Sequence, residues 1–321
     1  MVLVELQALA GAMPSSIAIT ADVLATANRL RAAKGRRPAF ALRVAGSGRR
    51  AAHALVHSVV PDDPALATRD ADVVVVCSLV ATTEAAVAER LARRDTTAAR
   101  RVIERAAARG AEVAASCSAV FLVASTGVLD ERRATTTWWL APAFQRMFPR
   151  VALDADAMVV VDGSLTTAGA AMAHLDLMLA VVARHGGADL ADQCARFLLL
   201  DGRRSQARYM ALGYLSAKDA EVARAERWAR ARLASGVTVD ELAAAAQLAP
   251  RTFARRVARA TGLSPVRFLQ RLRVERAVEL LETTSLSVEE IARRVGYAEP
   301  TTLRRLLRRL AGGRPRELRR A

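Results

Sequence analysis

Two sets of residues in this chain could do chemistry. The first centres on Cys117, in the run EVAASCSAVFLVA from Glu112 to Ala124, where a short buried-strand pattern gives way to a helical one. A cysteine at a strand-to-helix junction is a nucleophile elbow: the turn presents the thiol at the carboxyl edge of a sheet, and the helix N-terminus favours its thiolate. The second set is arginine. Arg251, Arg255 and Arg259 fall on the outward face of one helical run, and Arg304, Arg305, Arg308 and Arg309 are left outward on another. Guanidinium groups held on one helical face grip a polyanion through phosphate charge, and at the right depth they read base edges.

The elements that position those arginines occur twice. Val239 to Pro265 reads VDELAAAAQLAPRTFARRVARATGLSP, and Val288 to Pro315 reads VEEIARRVGYAEPTTLRRLLRRLAGGRP. Each copy runs from an acidic pair through a short turn into an Arg-studded amphipathic run that closes on Gly and Pro. The spacing between copies grows by one residue along the repeat, so the second has the longer turn. Thr238 with Glu241, and Ser287 with Glu290, form Ser/Thr-x-x-Glu capping boxes that start the first helix of each copy. Pro250 and Pro300 occupy first-turn positions of the second helices. Phe253 and Val257 in one copy, and Leu303, Leu306 and Leu307 in the other, face inward. Ser264 and Pro265 open a continuous helix to about Leu281, a stiff connector suited to two recognition helices in successive major grooves about 34 Å apart.

Charge agrees with that reading. The 321 residues carry a formal net charge of +16, and from Glu221 onward there are 22 arginines, no lysine and 11 acids. A basic surplus gathered in one terminal region points to nucleic acid. Three scattered cysteines, Cys77, Cys117 and Cys194, make no disulfide framework, so a reducing compartment is expected. The first residues lack the basic and apolar regions of a signal peptide, and the apolar runs are short and charge-bounded. The expectation is a cytoplasmic protein with no membrane partner.

Upstream, strand and helix patterns alternate. Phe40 to Ala45 and Asp72 to Cys77 read as strands, the latter buried on both faces, Ala98 to Arg109 as a helix, and Ala157 to Val161 with Leu165 to Ala168 as a hairpin. This predicts an α/β open parallel sheet followed by an all-α double helix-turn-helix domain. The expected boundaries are 1–187 for the first domain, 188–220 for a linker region and 221–321 for the second. A ligand of such a sheet binds outside the carboxyl ends of its strands. That edge gathers Ser15, Ser78, Cys117, Ser118 and Trp138. Gly46, Ser47 and Gly48 lack the third glycine of a dinucleotide fingerprint and read as a turn. His53 and His57 stand four apart without an HExxH glutamate, so no metal site is expected. No cofactor is expected either.

The C-terminal segment, with R-x-x-x-A-x-x-L-L, S-x-x-E-I-A, V-G-Y and a terminal G-x-x-P in order, resembles the DNA-binding domain of AraC/XylS-type transcription regulators. The resemblance implies Arg251, Ala254 and Arg255 in the first motif, and Thr301, Arg304 and Arg305 in the second, as base-facing residues on double-stranded DNA. It departs at Leu307, Arg314 and Leu318, where the family usually has Phe, Ser and Tyr. The elbow at Cys117, with TGVLDERRATTTWWLAPAFQRMFPRV, resembles the DJ-1/PfpI (class I glutamine amidotransferase-like) domain found before AraC-type modules in the GlxA subgroup. That implies a flavodoxin-like fold, a small-molecule effector or dimerisation role, and a homodimer. Here Ala119 replaces the glycine of Cys-x-Gly, and Thr137 stands where relatives carry the histidine that activates the cysteine. Catalysis by a Cys-His pair needs both partners. The reading is therefore an effector-controlled DNA-binding regulator that is not an enzyme, and the rival is a Cys-dependent hydrolase or amidase with an attached DNA-binding domain.

Overall fold

The computed structural model describes residues 1–50, 64–200 and 205–319. The pair His53 and His57 lies outside the described residues. The chain divides into two compact units, Met1–Arg204 and Ser205–Ala321.

Among the described residues of the first unit, six strands form one sheet in the order β2-β1-β3-β4-β8-β7. They are β1 (Val2–Gln7), β2 (Phe40–Ala45), β3 (Val73–Val76), β4 (Glu112–Ser116), β7 (Val159–Asp162) and β8 (Leu165–Ala168), with β5 (Arg133–Ala134) and β6 (Ala152–Leu153) pairing apart. All neighbours in the large sheet run parallel except the β7–β8 hairpin, whose register sets Val160 against Thr167. Four valines make up β3, and none exceeds 1% exposure. Alternation sends Val74 and Val76 into one core and Val73 and Val75 into the other.

Helices cover both faces, as a parallel sheet requires. The segments α1 (Pro14–Ala32), α2 (Pro64–Thr68), α3 (Glu84–Ala92), α4 (Arg94–Ala108), α5 (Ala119–Ala124), α6 (Ala141–Met147), α7 (His174–Gly186) and α8 (Ala188–Phe197) follow in order. Leu24 of α1, Val181 of α7 and Cys194 of α8 pack on one face, and Val87 of α3, Ile103 of α4 and Phe121 of α5 on the other. Helix α4 begins a turn before the expected Ala98, because Asp95 accepts the Thr96 N–H at 3.0 Å and satisfies one otherwise orphaned donor. Stretch 188–220, expected as a linker, is divided: α8 buries Leu190, Ala191 and Cys194 in the first unit, while residues from Ser205 onward pack in the second. The apolar periodicity of α8 gave it a core to join, which a linker lacks.

The second unit holds α9 (Leu212–Ser216), α10 (Ala220–Arg230), α11 (Val239–Ala245), α12 (Pro250–Thr261), α13 (Pro265–Thr283), α14 (Val288–Arg294), α15 (Pro300–Leu306) and α16 (Pro315–Leu318). It has two cores. Leu242, Phe253 and Val257 belong to one, and Ile291, Leu303 and Leu307 to the other. The connector α13 serves both: Phe268, Leu269 and Leu272 enter the first core, and Val274, Ala277, Leu280 and Leu281 the second. Each motif is thus fastened to one half of a single helix, which couples them more firmly than a flexible link could.

Candidate functional site

In the first motif, α11 and α12 are separated by residues 246–249, and Pro250 stands at the first position of α12. Phe253 and Val257 are fully buried, so the opposite side of α12 faces outward. The four arginines of α12 do not share one fate. Asp219 accepts from Arg256 Nη1 and from Arg259 Nη2, each at 3.2 Å, and Glu221 also takes Arg256. Burial works against ionisation of Asp219, but the Val222 N–H and the two guanidinium groups hold its carboxyl below its ordinary value. Arg251 and Arg255 are exposed, one helical turn apart, and have no partner among the described residues. Ala254 lies half-exposed between them.

In the second motif, residues 295–299 separate α14 from α15, one residue more than in the first. Thr301 and Arg305 are exposed, but Arg304 Nη2 donates to Glu289 Oε1 at 2.5 Å. Arg309 donates to Gln270 at 3.1 Å, while Arg308 is exposed without a described partner. The tie between Arg304 and Glu289 spans 15 positions and left no periodic signal to read. Arg273 of the connector is another residue that periodicity missed: Nη2 donates to the Val237 carbonyl at 2.8 Å, and the guanidinium lies 4.8 Å from the Tyr297 ring centroid. It braces the entry to the first motif against the turn of the second. The departures Leu307 and Leu318 are both buried in the second core, so apolar contact there is kept without the aromatic rings.

In the first unit, Cys117 follows β4 with φ of +57°. A non-glycine residue in this region costs about 1–2 kcal/mol, and the geometry is held by its N–H donating to the Ala168 and Gly169 carbonyls at 3.1 and 2.7 Å. Thr136 Oγ1 donates to the Cys117 carbonyl at 2.8 Å. Ser78 and Ser118 join the elbow, their hydroxyls 3.2 Å apart, and both are buried. Ser15 sits half-exposed in the first turn of α1, and Trp138 is half-buried, edge-to-face with Trp139 at 5.3 Å. The edge therefore gathers Ser78, Cys117 and Ser118 directly. Val80, a β-branched residue with φ of +54° and 54% exposure, is a second strained position on this edge.

The expected thiolate is not what this elbow favours. Burial is the largest influence and pushes the Cys117 thiol above its ordinary value, against hydrogen bonding from Ser78 and Ser118. Helix α5 has only six residues, too short for a strong N-terminal field. Thr137 is fully buried beside the sulfur in a contact too loose to count as a good hydrogen bond, and a hydroxyl there is no base. His174 is also fully buried, with Nε2 2.9 Å from Thr20 Oγ1 and Nδ1 2.8 Å from Ser116 Oγ. The Thr20 hydroxyl donates its one proton to the Ser16 carbonyl at 2.8 Å, so it must accept from Nε2–H, and Nδ1 accepts from Ser116. Burial lowers the His174 pKa to about 4, which fits a neutral ring with both nitrogens occupied. Gly46 lies at φ +96°, where a Cβ would stand 2.5 Å from the Ala8 carbonyl oxygen, and Ser47 Oγ accepts the Ala10 N–H at 2.8 Å. That is a packed turn, as its sequence suggests. Among the described residues, no group of His, Cys, Asp and Glu is arranged to hold a metal, and no helix is long and apolar enough to cross a membrane.

Comparison with known proteins fits the two units in turn. Residues 85–184 match the DJ-1/PfpI family, and residues 242–321 match a helix-turn-helix domain family. The chain therefore joins a DJ-1/PfpI domain of flavodoxin-like fold to an AraC-type helix-turn-helix domain. In pairing these two domains it is similar to GlxA-like regulators of the AraC family. It is 30% identical over 224 residues to the HTH-type transcriptional regulator GlxA of Rhizobium meliloti, covering 63% of each chain. It is 25% identical over 204 residues to the HTH-type transcriptional regulator GbdR of Pseudomonas aeruginosa, covering 63% of this chain and 55% of that one. These matches thus span less than two thirds of the relatives' own length. A crystal structure of an AraC family transcriptional regulator from Pseudomonas putida is 21% identical, covers 62% of this chain and 100% of that one, and superposes with a TM-score of 0.46.

Proposed function

We propose that the protein is a sequence-specific DNA-binding transcription regulator controlled by a small molecule at its N-terminal domain. The observation that carries the reading is the division of labour on α12: Arg256 and Arg259 are held by Asp219, while Arg251 and Arg255 stand exposed without a described partner on a helix anchored by Phe253 and Val257. A recognition helix needs that split between holding and reading residues. Base-facing roles fall to Arg251, Ala254 and Arg255 in the first motif and to Thr301, Arg304 and Arg305 in the second, once Arg304 leaves Glu289. The effector seat is the strand edge with Ser15, Ser78, Cys117, Ser118 and Trp138, and a homodimer formed through the N-terminal domain would present paired DNA-reading units. The place of action is the cytoplasm, where the chromosome of a bacterial regulator lies. Control requires an effector that binds one arrangement of the units better than another.

On this reading Cys117 is a pocket or packing thiol and not a nucleophile of turnover. Its raised pKa and the full occupation of His174 support that, since neither supplies a thiolate or a free base. Selection of bound duplexes from a random pool, followed by gel shift with and without candidate metabolites, tests the proposal. Enrichment of one motif, weakened by Arg255→Ala, is expected; recovery of no motif at moderate salt defeats it. Thiol-dependent turnover abolished by Cys117→Ala would restore the hydrolase reading.

A further inference from the structure

The outward face of α4, in the first unit, carries a charge pattern that neither the fold nor the candidate pocket uses. Arg94, Arg101, Arg105 and Arg109, the last at its C-cap, are all exposed. At about 100° per residue, Arg94, Arg101 and Arg105 fall within an arc of roughly 40°, with Arg109 about 40° further round. They form one stripe about 22 Å long at 1.5 Å per residue. Small residues flank it, with Thr97 and Ala98 on one turn and Ala108 on another, so a ligand backbone can come close. Arg94, Arg101 and Arg105 have no partner among the described residues, and Arg109 meets only Asp70, at 3.4 Å.

Surface helices ordinarily set opposite charges four residues apart, and like charges at that spacing weaken a helix. Here Arg101 with Arg105, and Arg105 with Arg109, are like pairs at that spacing. The acids of α4 take none of these arginines: Asp95 is engaged by Arg93 and Ser47, and Glu104, about 60° round from Arg101, makes no described ion pair. In α12, Asp219 and Glu221 relieve Arg256 and Arg259; among the described residues, Arg94, Arg101 and Arg105 of α4 have no such relief. At the C-terminal end of the stripe a cavity of about 380 Å³ opens, lined by Arg43, Arg69, Arg105 and Arg109 against Glu5 and Asp70. Arg43 is committed to Glu5 and to the Leu66 and Arg69 carbonyls, and Arg69 to Asp72, which leaves Arg105 at the mouth to meet an incoming anion.

We propose that this arginine stripe is a second phosphate-binding surface, which grips the backbone of duplex DNA and adds sequence-independent affinity to that of the helix-turn-helix unit. The proposal rests on the reading that the full chain binds DNA. Contacts of this kind release counterions, so their number shows in the salt dependence of binding.

The test uses the full-length protein and compares wild type with Arg94→Gln/Arg101→Gln/Arg105→Gln and with a charge-matched control, Arg29→Gln/Arg36→Gln/Arg37→Gln. Binding to the selected duplex and to a random duplex is followed from low to moderate salt. The stripe variant is expected to give a slope of log K against log salt shallower by about 2 to 3, with affinity for both duplexes falling together and melting temperature not lowered. The control is expected to keep the wild-type slope. An unchanged slope in the stripe variant, while wild type still selects its site, overturns this inference alone. Equal change in both variants also overturns it, since net charge would then account for the effect. Absence of DNA binding by the wild type defeats this inference together with the proposed function.

Discussion

The two helix-turn-helix motifs follow one plan and satisfy it differently. In the first, four residues turn the chain, and Gln247 takes the left-handed conformation with φ of +56°. In the second, five residues turn it, and Gly296 takes that conformation with φ of +82° under the Leu233 carbonyl. The first cap is reciprocal, because Thr238 Oγ1 accepts the Glu241 N–H at 3.2 Å and Glu241 accepts the Thr238 N–H at 2.8 Å. In the second, Ser287 accepts the Glu290 N–H at 3.1 Å, but the Glu290 carboxylate turns away to Arg293 and Arg294. The repeat therefore preserves where helices start and which residues are buried. Neighbouring acids decide which arginines stay available, and they differ between the copies.

The largest test of that comparison is steric. A Cβ on Gly296 would lie 2.2 Å from the Leu233 carbonyl oxygen, which is backbone and cannot swing aside. Gly296→Ala is expected to destabilise the protein by about 2 to 4 kcal/mol, combining left-handed strain with overpacking. Gln247→Gly at the corresponding turn should change stability by less than about 1 kcal/mol, since released strain and added chain entropy oppose each other. Urea unfolding of both variants decides. Comparable losses at the two turns would mean that the first is as tightly packed as the second.

Next in size are the arginines themselves. Arg255→Ala should cost about 1 to 3 kcal/mol on the selected duplex and relax preference at one base position. Arg308→Ala should weaken selected and random duplexes alike, as a phosphate contact does. Because the first motif offers Arg251 and Arg255 unencumbered, it should carry more of the base specificity, and the second more of the phosphate affinity. Titrations against a panel of single-base variants would reverse that assignment if Arg305→Ala relaxed specificity more than Arg255→Ala.

What could be read from the sequence follows from the range of the forces involved. Capping residues, first-turn prolines and the inward placement of Phe253, Val257 and Leu303 act within a few positions, so their spacing revealed both motifs, as apolar runs revealed the alternation of strand and helix upstream. The hairpin at Asp162 and Leu165 was legible for the same reason. Ties between distant positions were not. Asp219 with Arg256, Glu289 with Arg304, and His174 between Thr20 and Ser116 depend on how helices pack, and no local pattern announces them. The thiol of Cys117 shows the same limit: its place at the elbow was legible, but the depth of burial that raises its pKa is a property of the assembled core. The apparent second capping box failed because Arg293 and Arg294, three and four residues further on, compete for the same carboxylate.

That difference between caps gives a smaller effect. Thr238→Ala is expected to cost about 1 kcal/mol, and Ser287→Ala less, because only one half of the second box is present. The Thr238 backbone and hydroxyl hold the Glu241 carboxyl below its ordinary value, and Arg293 with Arg294 do the same for Glu290. For a depressed carboxyl the contribution is present above the unfolded pKa and is lost as pH falls through the folded one, so both caps should weaken only in acid. Salt separates them: screening should erode the exposed Glu290 pairs more than the hydrogen-bonded Glu241 cap. Urea unfolding at neutral pH in low and high salt tests this, and an equal salt effect in Glu241→Gln and Glu290→Gln would contradict it.

The smallest effect concerns Arg304. Its pair with Glu289 is roughly half-exposed on both sides, at 42% and 50%. Exposed pairs of this kind are weak because solvent screens them and both side chains lose freedom, so a DNA phosphate or base edge can compete. Glu289 therefore acts as a weak internal rival to DNA for one arginine of the second motif, a rival that Arg251 and Arg255 do not have. Glu289→Gln should leave folding nearly unchanged and steepen the salt slope of DNA binding by about 1. Adding Arg304→Gln to that variant should take the increment away. A slope that stays at the wild-type value in Glu289→Gln would mean that Arg304 faces no phosphate in either state, leaving Thr301 and Arg305 to meet DNA without it.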